Sequence, residues 1–263
     1  MSVGTPSNAL ADAGRCANPR PIPILVYHQI ALAPPRGAPY RSLYVSPQAF
    51  ARQMRWLKRW GWQGLSMPAL MPYLRGQKTG RVVGITFDDG YRNNLEHAAP
   101  VLQALGFSAT CYAVSAKLGG ANDWDASQGI AAAALMDAAE LRQWCAAGLD
   151  VGAHTRQHRD LCQCSMVQAK DEISLSKTEL SAQIGQSVEH FCYPYGRFDA
   201  SHRAQVAQAG FASATSTERG RAQAGDDLLA LPRVPVLRAT TLPVFWLKLA
   251  TPYEDRYRRL RAA

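Results

Sequence analysis

Short apolar runs alternate with longer amphipathic segments along most of the chain. Residues 22–30 (IPILVYHQI) form one such run, and others fall at 81–87 (RVVGITF), 108–114, 149–153, 190–193, 211–214 and 228–236. Runs of this length with little polar interruption predict strands buried on both faces. The segments between them carry helix signals. Ser46 can cap a helix with Pro47 in its first turn, and Gly61 follows the apolar pattern that ends near Trp60. A shorter helix is predicted after Ser66, and others over 95–105, 138–147, 166–184, 200–209 and 244–249. Gly106, Gly148, Gly185 and Gly210 stand where four of them should stop.

Strands that alternate with helices imply parallel pairing and right-handed crossovers. Seven such strands predict an α/β fold closed, or nearly closed, into a barrel with helices outside. A doubly wound open sheet is the competing architecture. Residues 119–130 and 219–227 are predicted to be long loops. No repeat or linker divides the chain, so one domain is expected over 21–250, between an N-terminal arm (1–20) and a basic tail (251–263).

The candidate chemistry falls at matching places in this pattern. His28 ends the first predicted strand, Asp88 and Asp89 the second, His154 the fourth, and residues 193–196 the fifth. In parallel α/β folds the carboxyl ends of the strands share one rim, where active sites lie. If the strand continued through Asp88 and Asp89, the two carboxylates would point to opposite sides. Residues 154–158 (HTRQH) put two imidazoles on one side if they form a helical turn. With Asp89 they make a two-histidine, one-carboxylate set suited to a divalent metal.

Composition narrows the partners. Of 263 residues, 47% are hydrophobic and 19% charged, as in an ordinary globular protein. No run approaches the ~20 apolar residues of a membrane-spanning helix. The first 20 residues lack a basic start and an apolar stretch, which predicts a cytoplasmic protein with a loose arm. The net charge of +9 raises the question of nucleic acid. Arg52, Arg55, Lys58 and Arg59 accompany Phe50, Met54 and Leu57 on one predicted helix and read as its solvated face. Without an aromatic–basic base-reading module, nucleic acid is not expected as a partner. Arg256, Arg258, Arg259 and Arg261, close to the apolar residues 244–250 (VFWLKLA), suit peripheral contact with a membrane surface or a lipid-linked substrate. Cys16, Cys111, Cys145, Cys162, Cys164 and Cys192 are expected to be reduced structural thiols.

Three segments, in order and spacing, carry a resemblance: ITFDDG (85–90), HTRQH (154–158) and CYPYG (192–196). They are similar to the first three motifs of the polysaccharide deacetylase, or NodB-homology, family (carbohydrate esterase family 4), over about residues 22–236. The resemblance implies a distorted (β/α)7 barrel of the NodB-homology type. It also implies a divalent metal, zinc first, with cobalt, nickel, manganese and iron as alternatives. The implied reaction is removal of the N-acetyl group from an amino sugar in an exopolysaccharide, an oligosaccharide or a lipid-linked precursor. Asp88 would be the general base, and Asp89, His154 and His158 the ligands. Tyr195 would offer its backbone N–H to the oxyanion, with Pro194 and Gly196 shaping that loop on the substrate side.

The general acid departs from the family's usual pattern. Many members take it from a Leu-x-His motif near the C-terminus, but the last histidine here is His202. A branch that resembles poly-N-acetylglucosamine deacetylases carries a histidine after the first strand, and VYHQI (26–30) matches it, which assigns the acid to His28. Arg233 in LPRVP (231–235), following the last apolar run, is the candidate to orient Asp88. Trp124 is a candidate to stack on a sugar. His97, His190 and His202 fit no motif and read as structural or exposed. Two other functions stay open at this stage: hydrolysis of another small or cyclic amide, and carbohydrate binding without catalysis.

Overall fold

In a computed structural model that describes residues 20–257, seven parallel strands close on themselves. They are β1 (Ile24–Tyr27), β2 (Val82–Phe87), β3 (Thr110–Ala113), β4 (Asp150–Ala153), β5 (His190–Cys192), β6 (Ser213–Arg219) and β7 (Leu231–Pro235). Each pairs with the next, and the ring shuts where Leu25 of β1 meets Val234 of β7. That closure decides between the two architectures in favour of the barrel. The barrel is distorted: β4 and β5 share one register pair, Ala153 with Phe191, and the β6–β7 register shifts between Leu231 and Arg233.

The α-helices named within the described residues connect and cover the strands: α1 (Pro47–Arg59), α2 (Met67–Leu74), α3 (Arg92–His97), α4 (Ala99–Leu105), α5 (Ala138–Ala146), α6 (Met166–Ile184), α7 (Ala200–Gln208) and α8 (Leu242–Ala250). Ser46 caps α1 through its hydroxyl, which accepts from the Ala49 N–H at 3.2 Å. The stretch over 95–105, expected as one helix, is two; Pro100 has no N–H to continue the ladder across the break at Ala98.

Alternation along the strands sorts side chains into two layers. Leu25, Tyr27, Val83, Ile85 and Phe87 face outward into the main core beneath the helices. Ile24, Val82, Tyr112, Cys192 and Leu231 face the barrel interior, where Met67, Leu70, Met71 and Leu74 of α2 join them. Gly84 leaves room for this plug, since a Cβ there would lie 2.9 Å from Leu70 Cδ2. Following the inward positions along three strands leads from Ile24 to His28, from Val82 to Asp88, and from Leu231 to Arg233. The plug fills the amino end of the interior, and polar groups occupy the carboxyl end.

Two features were not expected. A short strand, Gln63–Leu65, pairs with the amino half of β2, while β3 pairs only with the carboxyl half. The first apolar run breaks at His28, after which Gln29–Ile30 pairs instead with Tyr44–Val45. Residues 251–257 are tied to the body: Glu254 accepts from Arg219 and Lys248, and Asp255 takes a two-pronged bond from Arg221. The arm through residue 19, including Cys16, and Arg258, Arg259 and Arg261 lie outside the described residues.

Candidate active site

The carboxyl ends of β1, β2, β4, β5 and β7 bring the predicted residues into one cavity of about 290 Å³. His28, Asp88, Asp89, Trp124, His154, His158, Tyr195 and Arg233 all line it. Pro194 and Gly196 lie in the same short helical turn as Tyr195.

Asp88 and Asp89 are separated by a turn, not by strand alternation. β2 stops at Phe87, and Asp89 and Gly90 adopt φ of 75° and 82°. This left-handed pair reverses the chain and sends the two carboxylates to different partners. Asp88 meets Arg233, whose Nη1 and Nη2 donate to its two oxygens at 2.6 and 2.7 Å. The same guanidinium donates to Ser216 O, Thr86 Oγ1 and Cys192 Sγ, so its five N–H groups all have partners. Arg233 was expected after the last strand's apolar run; it sits inside β7 on the inward side and is 1% exposed. Burial pushes the Asp88 carboxyl up, and the Arg233 charge and hydrogen bonds more than offset this. The net effect holds Asp88 below its ordinary value, as a carboxylate at neutral pH. His28 Nε2 lies 3.9 Å from Asp88 Oδ2 on the more open side.

Asp89 faces the two histidines. Its Oδ1 is 3.5 Å from His154 Nε2 and 3.3 Å from His158 Nε2. The 154–158 segment is not a helical turn. Thr155 and His158 have φ of 61° and 57°, and these two left-handed residues curl the loop so that both imidazoles turn inward. Glu172 on α6 supports the loop by accepting from the N–H groups of Arg156 and Gln157 at 2.9 and 2.8 Å. His154 Nδ1 bonds to the carbonyl of Cys192 at 2.8 Å, which fixes the ring and leaves Nε2 toward Asp89.

Ligand atoms of Asp89, His154 and His158, all buried, lie within 4.8 Å of one another. Two imidazoles and a carboxylate converging on one point, with one histidine fixed from behind, fit a divalent ion. Asp88, His154 and Cys192 also approach one another. In that set both Asp88 oxygens are already engaged by Arg233, so the Asp89 set is the better ligand cluster.

Further residues support these groups. Tyr91 lines the cavity with Asp89, and burial followed by the Asp89 charge pushes its pKa upward. Asp125 accepts from Tyr195 Oη at 3.1 Å. Trp124 stacks on the His158 ring with centroids 4.4 Å apart, so one face of the indole packs against a candidate ligand. Tyr195 itself has φ of 58°. Gly196 permits the close approach behind it, since a Cβ there would fall 1.9 Å from Thr217 Oγ1. His190 and His202 are buried away from the cavity and bond to Ser213 and Asp199, while His97 is exposed, as expected of residues outside the motifs.

A family profile described as "Polysaccharide deacetylase" matches residues 75–214, more than half of the chain. The chain belongs to the polysaccharide deacetylase family. The Bacillus subtilis protein YxkH, which carries that family name, is 28% identical over 220 residues, 83% of this chain and 72% of its own. The deacetylase PplD of Streptococcus pyogenes, solved in complex with acetate, superposes with a TM-score of 0.76 at 26% identity, covering 88% of this chain and 99% of its own. IcaB from Ammonifex degensii shares the fold, with a TM-score of 0.74 at 20% identity over 88% of this chain and 97% of its own. Family membership makes the chain a hydrolase of carbon–nitrogen bonds other than peptide bonds. The family's members are metalloenzymes that act on glycans. Among the described residues, no helix is long and apolar enough to cross a membrane.

Proposed function

We propose that this polysaccharide deacetylase removes the N-acetyl group from an amino sugar within a glycan, with Asp88 as general base and His28 as general acid. One observation carries the reading. A carboxylate locked by Arg233, with His28 Nε2 at 3.9 Å, shares a cavity with a second carboxylate that faces His154 and His158.

Asp89, His154 and His158 would hold a divalent ion, zinc first among the candidates, which when bound would supply polarisation of the acetyl carbonyl and lower the pKa of water. The protein's own groups do the rest. Asp88 takes the proton of the attacking water on a lone pair that Arg233 leaves free. Arg233 keeps that carboxylate ionised and oriented. The backbone N–H of Tyr195 donates to the oxyanion, an interaction worth about 3 kcal/mol in comparable sites. His28, partly exposed at the end of β1, gives its proton to the departing amine. Trp124 and the loop of Pro194 and Gly196 border the space for the sugar.

Acetate release from N-acetylglucosamine oligomers by metal-stripped protein, with and without added zinc, tests this. Zinc-dependent release is expected. Release unchanged by metal removal contradicts it, as does none after zinc is restored. The apolar walls made by Val26, Leu43, Ile130 and Leu237 favour one rival, hydrolysis of a smaller or cyclic amide. Turnover of such an amide with no acetate from the sugars would select it.

A further inference from the structure

We infer that the flank of the barrel formed by α1 and α8 is a docking surface for an anionic lipid bilayer. A groove between these helices is walled by Trp56, Trp60, Leu242, Pro243, Trp246 and Leu247. Trp246 and Leu247 are 42% and 36% exposed, beyond what packing of α8 against the core requires. The apolar side of α8 that does pack inward is Phe245 and Leu249, so the same helix has a second, outward apolar side.

The charge beside the groove identifies the partner. On α1, spacings of three and four place Arg52, Arg55 and Arg59 in one exposed row, with Trp56 and Trp60 in the adjacent row. No acidic residue lies on α1, and among the described residues none of these three arginines is in an ion pair. Arg59 instead lies over the Trp56 ring at 5.2 Å. The bias extends well beyond one helix. Residues 13–87 carry eleven lysines and arginines and no aspartate or glutamate, so the remainder of the chain is slightly acidic.

Indole rings beside unpaired arginines suit the lipid headgroup layer, where tryptophan settles and acidic lipids attract basic side chains. An apolar partner protein alone would leave the arginine row unanswered, and an anionic polymer alone would leave the tryptophan groove unfilled. A bilayer containing acidic lipid answers both.

Co-sedimentation of the full chain with phosphatidylglycerol–phosphatidylcholine vesicles, read beside tryptophan fluorescence, tests the inference. Binding with a blue shift is expected, falling at least tenfold in high salt or on phosphatidylcholine alone. The Trp56→Ala/Trp246→Ala variant should lose the blue shift and most binding. Should that variant fold poorly by circular dichroism, Arg52→Glu/Arg55→Glu provides a surface test that spares the groove and should also lose at least tenfold. None of these residues lines the catalytic cavity, so acetate release from soluble oligomers should be unchanged. Absence of vesicle binding, or binding that neither variant weakens, overturns the inference. So does a dimer in sedimentation velocity that Trp246→Ala dissolves while vesicles are ignored, since a second copy would then be the occupant.

Discussion

At the carboxyl end of the barrel, Asp88 keeps its charge because Arg233 meets both of its oxygens. At the amino end, Asp150 begins β4 with the Thr110 hydroxyl as its partner at 2.7 Å, and burial pushes its carboxyl up to about 7. The histidines differ in the same way. His154 and His158 face a carboxylate, whereas His190, at the start of β5, faces the Ser213 hydroxyl and is pushed down to about 4 by burial and then by nearby Lys177 and Arg75. The backbone follows suit. Among the described residues, the non-glycine positions with positive φ are Tyr40, Asp89, Thr155, His158 and Tyr195, and all but Thr155 line the cavity. The catalytic end therefore holds charged groups in demanding backbone conformations, while at the amino end burial shifts Asp150 and His190 toward their uncharged forms on regular strands. Strain of this kind persists where surrounding contacts over-determine it. Here those contacts are Glu172 under the 154–158 loop, Thr217 behind Gly196, and the filled guanidinium of Arg233.

Several changes would break or sharpen this contrast. Of these three, the largest expected effect on turnover is from His28→Gln, which should lower kcat by roughly 10²–10⁴-fold, the range for a lost general acid. An unchanged rate would move that role elsewhere. Arg233→Met leaves Asp88 buried without its counter-charge and should destabilise the fold by about 3–5 kcal/mol in urea denaturation. A loss below about 1 kcal/mol, within the range of an exposed ion pair, would mean that Asp88 is better solvated than its burial implies. Glu172→Ala removes the acceptor for two backbone N–H groups beneath the histidine loop. Zinc affinity should fall by about 10-fold, the lower end for an outer support of a metal ligand, as measured by calorimetric titration.

The smallest effects belong to the amino end, where Asp150 and His190 are shifted in opposite directions. Asp150, raised in the folded state, contributes stability at low pH that is lost as pH rises toward about 7. His190, lowered in the folded state, contributes stability above its unfolded pKa that is lost as pH falls toward about 4. Between these limits the two slopes oppose each other. Asp150→Asn should make the protein lose stability on acidification more steeply than the parent, by up to about 1 kcal/mol per pH unit. His190→Asn should tilt the profile the other way. Identical slopes in all three proteins would refute the amino-end account.

Six of the seven strands were legible as short apolar runs, and the motif residues were legible because they follow those runs directly; β6 was marked only at its start, since SATSTER (213–219) continues past the apolar 211–214 in polar residues. Gln63–Leu65 was not, since QGL has neither an apolar run nor β-branched residues to mark it. Pro100 did mark the break between α3 and α4, though the apolar pattern runs across it. Within the site, residue types were readable and backbone shape was not: DDG and HTRQH do not disclose that Asp89, Thr155 and His158 turn left-handed. The partner of His154 is a backbone carbonyl, which any residue could supply. Cys192 stands within a recognised motif, yet nothing local says that its sulfur meets Arg233. Tyr91 and Glu172 act on groups that other segments supply, and only the closed barrel brings them together.

The most direct test of the division between the two aspartates is zinc titration into metal-free Asp88→Asn and Asp89→Asn proteins, with acetate release measured on the same samples. Asp88→Asn should bind one zinc with near-parental affinity and release no acetate, whereas Asp89→Asn should lose tight zinc binding and activity together. Equal loss of zinc from both variants, or acetate release by either, would contradict the assignment.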